Sequence, residues 1–139
     1  MRVVVDSNVW VSGLILPESQ PGRVLQAIRI RQIEVVASWE LAKEIVEVLR
    51  RPRVRRYGVA GRDVEDVLFL LAPLLPSVQI DVPLRDPDDL PVVAAAVHGC
   101  AQAIVTGDRD LLEDADLTSW LRARSIRILT PTELLELLP

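Results

Sequence analysis

Several acidic residues stand where predicted strands end, at positions from which their carboxylates could hold a cation. Asp6 directly follows the apolar run Arg2–Val5, and Asp108 and Asp110 follow a second apolar run, Ala103–Thr106. Open α/β sheets bind their ligands in the crevice beyond the carboxyl ends of the strands. We therefore expect these three acids to lie together at one end of a parallel sheet.

Two further acids lie on predicted helices. Asp89 begins the helix Leu90–Gly99 after an acidic turn, and Glu44 lies about one turn into the helix Trp39–Arg51. On a wheel of about 3.6 residues per turn, Glu44 lies about 40° from Val48, at the edge of the apolar stripe. From that position Glu44 can reach over the edge of the sheet, so we add it to the acidic cluster.

The carboxylates of Asp6, Glu44, Asp89 and Asp108 would repel one another in a single crevice. Two carboxylates about 5 Å apart cost about 3 kcal/mol at an effective dielectric constant near 20. That is a large share of the roughly 5–15 kcal/mol that stabilises a domain. Mg²⁺ and Mn²⁺ prefer oxygen ligands and relieve this repulsion. They also activate water and stabilise a leaving oxygen. The cluster therefore predicts phosphoryl or phosphodiester chemistry.

Each acid also has a purely structural interpretation. Aspartate is favoured at helix N-caps, which would explain Asp6, Asp89 and Asp108 one by one. Glu44 alone would be a solvated helix residue. The joint occurrence of the four acids is what favours an active site.

The predicted elements that would position these acids alternate along the chain. Short apolar runs predict five strands, at Arg2–Val5, Ile33–Ala37, Val78–Val82, Ala103–Thr106 and Ile126–Leu129. Helical patterns fall between them, chiefly at Gln20–Arg31, Trp39–Arg51, Arg62–Leu75, Leu90–Gly99, Leu117–Arg124 and Pro131–Leu138. Ser38 and Thr130 are expected to cap the helices that follow them. The stretch from Pro52 to Gly61 is expected to be a loop or a kinked linker.

This alternation of apolar strands and helices is typical of an α/β protein. It predicts a three-layer α/β/α sandwich around a parallel sheet of about five strands. The length of 139 residues suits one domain that spans residues 1–139. No apolar run approaches the roughly 20 residues of a membrane helix. With no signal-peptide pattern and a single cysteine, Cys100, a cytoplasmic protein without internal disulfides is expected.

Positive charge is concentrated in one short segment, although the net charge of −4 is not that of a typical nucleic-acid binder. Its five arginines are Arg50, Arg51, Arg53, Arg55 and Arg56. They could contact RNA phosphates, and Tyr57 could stack on a base. The alternative is a solvated loop whose arginines pair with the many acids of the chain.

Four segments resemble the sequence motifs of the PIN-domain family and follow the family's order. The segments are Val3–Gly13, Ser38–Leu49, Asp86–Ala96 and Ile104–Leu112. Their matching acids are Asp6, Glu44, Asp89 and Asp108, and the fourth segment is the most specific. The resemblance covers nearly the whole chain. It is greatest to PIN proteins described as toxin components of toxin–antitoxin systems.

The resemblance implies a three-layer α/β/α fold and an endoribonuclease that hydrolyses RNA phosphodiester bonds with a metal-activated water. Asp6, Asp89 and Asp108 would be ligands of Mg²⁺ or Mn²⁺, and Glu44 would hold a second ion or orient the water. The resemblance also implies a homodimer and a cognate antitoxin, which the arginine-rich segment could dock.

Further roles follow from the same resemblance. Asp110 and Thr106 are secondary candidates for the metal site, and Asn8 would brace the loop that follows Asp6. Asp88 adjoins Asp89 and is an alternative to it as the third ligand.

Other functions remain open. PIN domains also process RNA without an antitoxin, and a catalytically silent module could keep the fold only for binding RNA or protein. A phosphatase or receiver-type enzyme could use Asp6 as phosphoryl acceptor. Such enzymes usually place a lysine near the transferred phosphate, and the only lysine here, Lys43, is on the helix of Glu44 and faces away from its apolar stripe. A dehalogenase-type site would also need an aspartate where Asn8 stands.

Overall fold

Four parallel strands form the sheet of the computed structural model, which describes residues 1–139. The strands are β1 (Arg2–Val5), β2 (Glu34–Val35), β3 (Ala103–Val105) and β4 (Arg127–Leu129), in the spatial order β2-β1-β3-β4. The central segments Val3–Val5 and Ala103–Val105 are completely buried. Central strands of a parallel sheet are covered on both faces, which explains why these two are uninterrupted apolar runs.

Helices cover both faces of the sheet. They are α1 (Ser7–Ile15), α2 (Gln20–Arg29), α3 (Trp39–Leu49), α4 (Pro52–Arg55), α5 (Gly61–Leu71), α6 (Leu90–His98), α7 (Arg109–Leu112), α8 (Ala115–Arg122) and α9 (Pro131–Leu137). The crossover from β1 to β2 runs in the opposite direction across the sheet from the crossover from β2 to β3. Since parallel crossovers are right-handed, α1 and α2 lie on one face and the helices between β2 and β3 lie on the other. The predicted α/β/α sandwich is therefore confirmed.

Helix α6 places the turn that precedes it, which carries Asp89, beside the sheet. Its residues Val92–Ala96 are all buried, and the helix packs against β1 and β3. Short side chains let a helix approach the sheet closely, so the turn before α6 lies near the ends of the two central strands. None of the helices is long and apolar enough to cross a membrane.

The strand predicted at Val78–Val82, the third of the five, is wrong. The chain there forms no strand, and the nearest pairing is an isolated bridge between Ser38 and Leu75. Val78, Ile80 and Val82 are half-buried while the residues between them are exposed. Ile80 and Val82 pack against the core. The alternation thus reflects this packing and not a hydrogen-bonded neighbouring strand, and the sheet has four strands.

Several other boundaries differ from the sequence expectation. The helix predicted at Trp39–Arg51 ends at Leu49, that predicted at Arg62–Leu75 ends at Leu71, and that predicted at Leu117–Arg124 begins at Ala115. The run Ile33–Ala37 pairs with β1 over β2 at the sheet edge, and after β2 the carbonyl oxygen of Ala37 accepts the N–H of Leu75. The stretch after Pro52, expected to be a loop or linker, contains the short helix α4 with Pro52 in its first turn. The caps predicted at Ser38 and Thr130 are confirmed, since both side chains accept main-chain N–H groups of the helices that follow.

The close approach of α2 to the main chain that connects it to α1 gives a test of the fold. A Cβ added at Gly22 would lie 2.1 Å from the carbonyl oxygen of Pro17, a main-chain atom that cannot rotate away. We expect Gly22→Ala to lower the free energy of unfolding by about 1–3 kcal/mol, the usual cost of overpacking. The matched control is Gly61→Ala, where nothing lies within 4 Å of the added Cβ. Urea unfolding measures both, and equal stabilities for the two variants would contradict this packing.

Candidate acidic active site

Asp6 is held rigidly at the carboxyl end of β1. Its main-chain N–H donates to the carbonyl oxygen of Val105 at 2.9 Å, which ties it to β3. Its Oδ1 accepts the N–H of Ser7 at 2.8 Å. Its Oδ2 accepts the Thr106 hydroxyl at 2.8 Å and the Asn8 side-chain amide at 3.0 Å. Only 7% of Asp6 is exposed, so both the position and the orientation of this carboxylate are fixed by its neighbours.

Thr106 links the ends of β1 and β3. Its fully buried hydroxyl donates to Asp6 and accepts the N–H of Asp108 at 3.0 Å. Asn8 completes the link, because its side-chain oxygen accepts the N–H of Gly107 at 2.9 Å while its amide lies 3.2 Å from the Thr106 hydroxyl oxygen. These hydrogen bonds fix the position of the loop that carries Asp108, so that Asp108 lies near Asp6.

Asp108 caps α7 and also faces the acidic site. Its Oδ1 accepts the N–H of Asp110 at 2.9 Å, as expected of a capping aspartate. No protein group donates to its second oxygen. Asp110 itself is exposed in the first turn of α7. The capping interpretation is therefore correct for Asp108 but accounts for only one of its two oxygens.

Asp89 enters the site from the turn before α6. The pKa of this half-buried residue is raised to about 7, chiefly by burial and then by the charges of Asp108, Asp86 and Asp6. Its side chain caps no helix, so the capping interpretation is wrong here. The neighbouring Asp88 is exposed. Asp89 is thus the acid of this pair whose charge interacts with the acids at the strand ends.

Glu44 reaches the same site from α3. Its Oε2 is buried and has no hydrogen-bond partner. Burial raises the pKa of Glu44 to about 7, with further contributions from the charges of Asp6, Asp88 and Asp89. A buried carboxylate oxygen without a donor costs free energy. It is therefore the clearest sign that the protein groups alone do not complete this site.

The cluster has no basic residue to balance it. The ion pairs of the chain are Arg2–Glu34, Arg29–Asp66 and Arg85–Asp114, and none involves a site acid. Lys43 is exposed and so are the five arginines from Arg50 to Arg56. Burial also raises the pKa of Asp6, with a smaller contribution from the charge of Asp108. The charge of the cluster is therefore uncompensated within the protein.

A hard divalent cation fits this donor set. The available groups are carboxylate oxygens, the ligands that Mg²⁺ and Mn²⁺ prefer, and the unpartnered Oε2 of Glu44 is one of them. No three acids converge on one point at ligand spacing in this arrangement. An ion would therefore bind with waters between some of the carboxylates, or with small side-chain rotations toward it.

Asp86 is a residue that the sequence reasoning missed as part of the site. Its Oδ1 accepts the N–H of Asp88 at 3.0 Å and its carbonyl oxygen accepts the N–H of Asp89 at 3.1 Å, so it shapes the turn Pro87–Asp89. Its charge also raises the pKa of Asp89. The signal was present in the sequence, because aspartate before proline is a common start of a helical turn.

Comparison with known proteins agrees with this geometry. A family model described as "PIN domain" matches residues 2–110, a span that contains all the acids of the candidate site. An uncharacterized protein of Methanocaldococcus jannaschii is 30% identical over 136 residues, which is 95% of this chain and 86% of that protein. No solved structure matches the chain.

The raised pKa values predict how stability depends on pH. In the unfolded chain Glu44 and Asp89 titrate near 4.5 and 3.8, and in the folded protein near 7. Between these values the folded protein binds more protons, so the free energy of unfolding falls as pH rises from about 4 to about 7. We expect a loss of the order of 1 kcal/mol per group after solvent screening. Thermal unfolding of metal-free protein at about pH 5 and about pH 8 measures it.

Two controls separate this effect from general pH sensitivity. Glu44→Gln with Asp89→Asn should flatten the dependence, whereas Glu47→Gln, on the exposed side of α3, should leave it unchanged. Millimolar Mg²⁺ or Mn²⁺ should restore stability mainly at the higher pH, because ionised carboxylates bind the cation. A protein that becomes more stable over this range without metal would contradict the assignment.

Proposed function

The chain belongs to the PIN-domain family, whose fold is of the nuclease type, and we propose that it is a Mg²⁺- or Mn²⁺-dependent endoribonuclease that hydrolyses RNA phosphodiester bonds. Residues 1–139 would form one such nuclease domain. The observation that carries the proposal is the uncompensated acidic cluster, and above all the buried, unpartnered Oε2 of Glu44. Structural acids are normally paired or hydrogen-bonded when buried, whereas acids that bind a cation are left free for it.

Each site residue has a role in this proposal. Asp6, Asp89 and Asp108 would hold the ion, with Asp110 as a further ligand at the rim. When bound, the ion would activate the attacking water and neutralise charge on the phosphate and on the leaving oxygen. Glu44 would orient the water through Oε2 or hold a second ion.

The supporting residues position the acids. The Thr106 hydroxyl and the Asn8 amide both donate to Oδ2 of Asp6 and keep this carboxylate from turning away. Asp88 lies exposed beside Asp89 and would act through its charge. Preorganised ligands reduce the reorganisation that accompanies binding and reaction.

The biological setting is part of the same proposal. The resemblance to toxin components suggests that the enzyme is the toxin of a toxin–antitoxin pair, held inactive by a cognate antitoxin. Cellular RNA as substrate and the single exposed cysteine, Cys100, agree with a cytoplasmic location.

An apolar groove between α3 and α5 supports a homodimer. The groove has a volume of about 650 Å³, and Trp39, Val46, Leu68 and Leu74 supply its apolar lining. Trp39 at its rim is 66% exposed, and Phe69 on α5 is 77% exposed. Exposed aromatic residues beside an apolar groove are typical of a protein interface. We propose that a second copy of the chain covers this face.

Cleavage of an unstructured RNA tests the enzymatic proposal. We expect activity with Mg²⁺ or Mn²⁺ and none with EDTA. Asp6→Asn and Glu44→Gln should each lower the rate by more than the roughly 10–100-fold that removal of an outer group of a metal site costs. Glu136→Gln, at an exposed position of α9 outside the site and the groove, should keep full activity. Cleavage that survives both EDTA and Asp6→Asn would refute the proposal.

Calorimetric titration with metal separates the enzyme from a silent binding module. The enzyme should bind Mn²⁺ or Mg²⁺ in the millimolar range or more tightly, and Asp6→Asn should weaken that binding. A phosphorylated Asp6 detected by mass spectrometry would instead revive the phosphatase alternative.

Mass measurement in solution tests the dimer. We expect wild-type protein to sediment as a dimer, and Trp39→Gln with Leu68→Gln to sediment as a monomer because both side chains line the groove. Ile30→Gln is the control, since Ile30 is equally exposed but ends α2, outside the groove. A wild-type monomer at every concentration would exclude this interface.

A further inference from the structure

The segment Arg50–Tyr57, which we name the arginine segment, carries five of the fifteen arginines of the chain. All five are exposed, and none forms an ion pair. The idea that they are balanced by nearby acids is therefore wrong for this structure. The segment is a patch of uncompensated positive charge on a protein whose net charge is −4. Arg50 also lines the groove assigned to the dimer, so RNA binding is argued from the other four arginines.

The segment is anchored to the core rather than free to move as a loop. Val54 lies at its centre and is only 2% exposed, and Val59 just after it is also buried. The N–H groups of Arg55 and Arg56 donate to the carbonyl oxygens of Arg51 and Pro52, both at 3.0 Å. The arginine main chain is thus ordered before any ligand binds, which lowers the entropic cost of binding.

Helix α3 connects the segment to the acidic site. The helix ends at Leu49, and Arg50, which caps it, follows Glu44 by six residues, so the segment begins about 9 Å beyond Glu44 along the helix axis. A stacked nucleic-acid strand has one phosphate per about 3.4 Å of its length. The segment therefore begins about three nucleotides from Glu44.

The acidic site alone is a poor surface for a polyanion. Its carboxylates repel every phosphate except the one that a cation bridges, so a long RNA needs positive charge next to the site. Arginine suits this need because its planar guanidinium donates two parallel hydrogen bonds to a phosphate. Among the exposed arginines without an ion pair, those of the arginine segment are the most concentrated along the chain.

Resting on the proposed nuclease function, we propose that the arginine segment binds the backbone of single-stranded RNA a few nucleotides from the cleaved bond, with Tyr57 stacking on a base. Tyr57 directly follows Arg56 and is 67% exposed. A base can stack on an aromatic ring only when its own strand leaves its face free, as in single strands, loops and ends. The segment thus selects the strand form of the substrate, while the acids perform the cleavage.

The test compares two pairs of arginine variants. Arg53→Gln with Arg56→Gln removes two charges from the segment. Arg122→Gln with Arg127→Gln removes two equally exposed and unpaired charges from α8 and β4. Binding is followed by fluorescence anisotropy with a fluorescein-labelled, unstructured single-stranded RNA and the metal-free protein. The affinity is measured at several salt concentrations.

We expect the segment pair to lower the slope of log affinity against log salt by about 1.4, since each single-strand phosphate contact contributes about 0.7. In cleavage assays with metal, the same pair should raise KM and leave kcat unchanged, because it does not touch the acids. The Arg122 and Arg127 pair should change neither quantity. Equal changes for both pairs would show diffuse attraction and overturn the proposal.

Tyr57 gives an independent test of the strand form. Tyr57→Ala should weaken single-stranded RNA binding about tenfold, Tyr57→Phe should retain it, and neither should alter binding to the same RNA in a duplex. If the wild type cleaves RNA but the arginine variants leave KM and salt dependence unchanged, this proposal fails while the nuclease function stands. If the arginine variants lose binding to a polyglutamate peptide but keep binding to RNA, the segment binds an acidic protein partner, and the proposal of RNA binding is overturned.

Discussion

Burial of carboxylates without a counter-charge is the constraint around which this protein is organised. Asp6, Glu44 and Asp89 each have a raised pKa, and burial is the first cause in all three. A domain accepts such a cost only where the rest of the structure enforces it. Here the enforcement comes from the sheet, since β1 and β3 are buried on both faces and the Thr106 hydroxyl joins their ends through Asp6 and Asp108.

The remaining elements bring acids to this point from different directions. Helix α6 packs against both central strands and positions Asp89 in the turn that precedes it, and α3 brings Glu44 from the side. The same α3 leads away from the acids to the arginine segment. The helix thus joins a region of unpaired negative charge to a region of unpaired positive charge, two features that the net charge of −4 conceals.

Sequence reasoning failed where a pattern has more than one physical cause. The alternation in Val78–Val82 is real, but it reflects packing on the core and not membership of the sheet. Aspartate at a helix start is equally ambiguous. Asp108 caps α7 and faces the site, whereas Asp89 caps nothing and has a raised pKa instead. Such cases are decided by which neighbours surround the side chain, and those neighbours come from distant parts of the chain.

The sequence by itself determined the α/β class, the central strands and the identities of the candidate acids, because apolar periodicity and motif spacing are local properties. The sequence also indicated that Glu44 lies at the edge of the apolar face of its helix, because a helical wheel is drawn from the residues of that helix alone. Only the tertiary structure decided that Glu44 has a buried oxygen without a donor, that Asp89 rather than Asp88 is the half-buried acid, and that the arginines of the arginine segment pair with no acid. Burial, pKa and ion pairing depend on contacts between residues far apart in the chain, and folding alone brings those residues together.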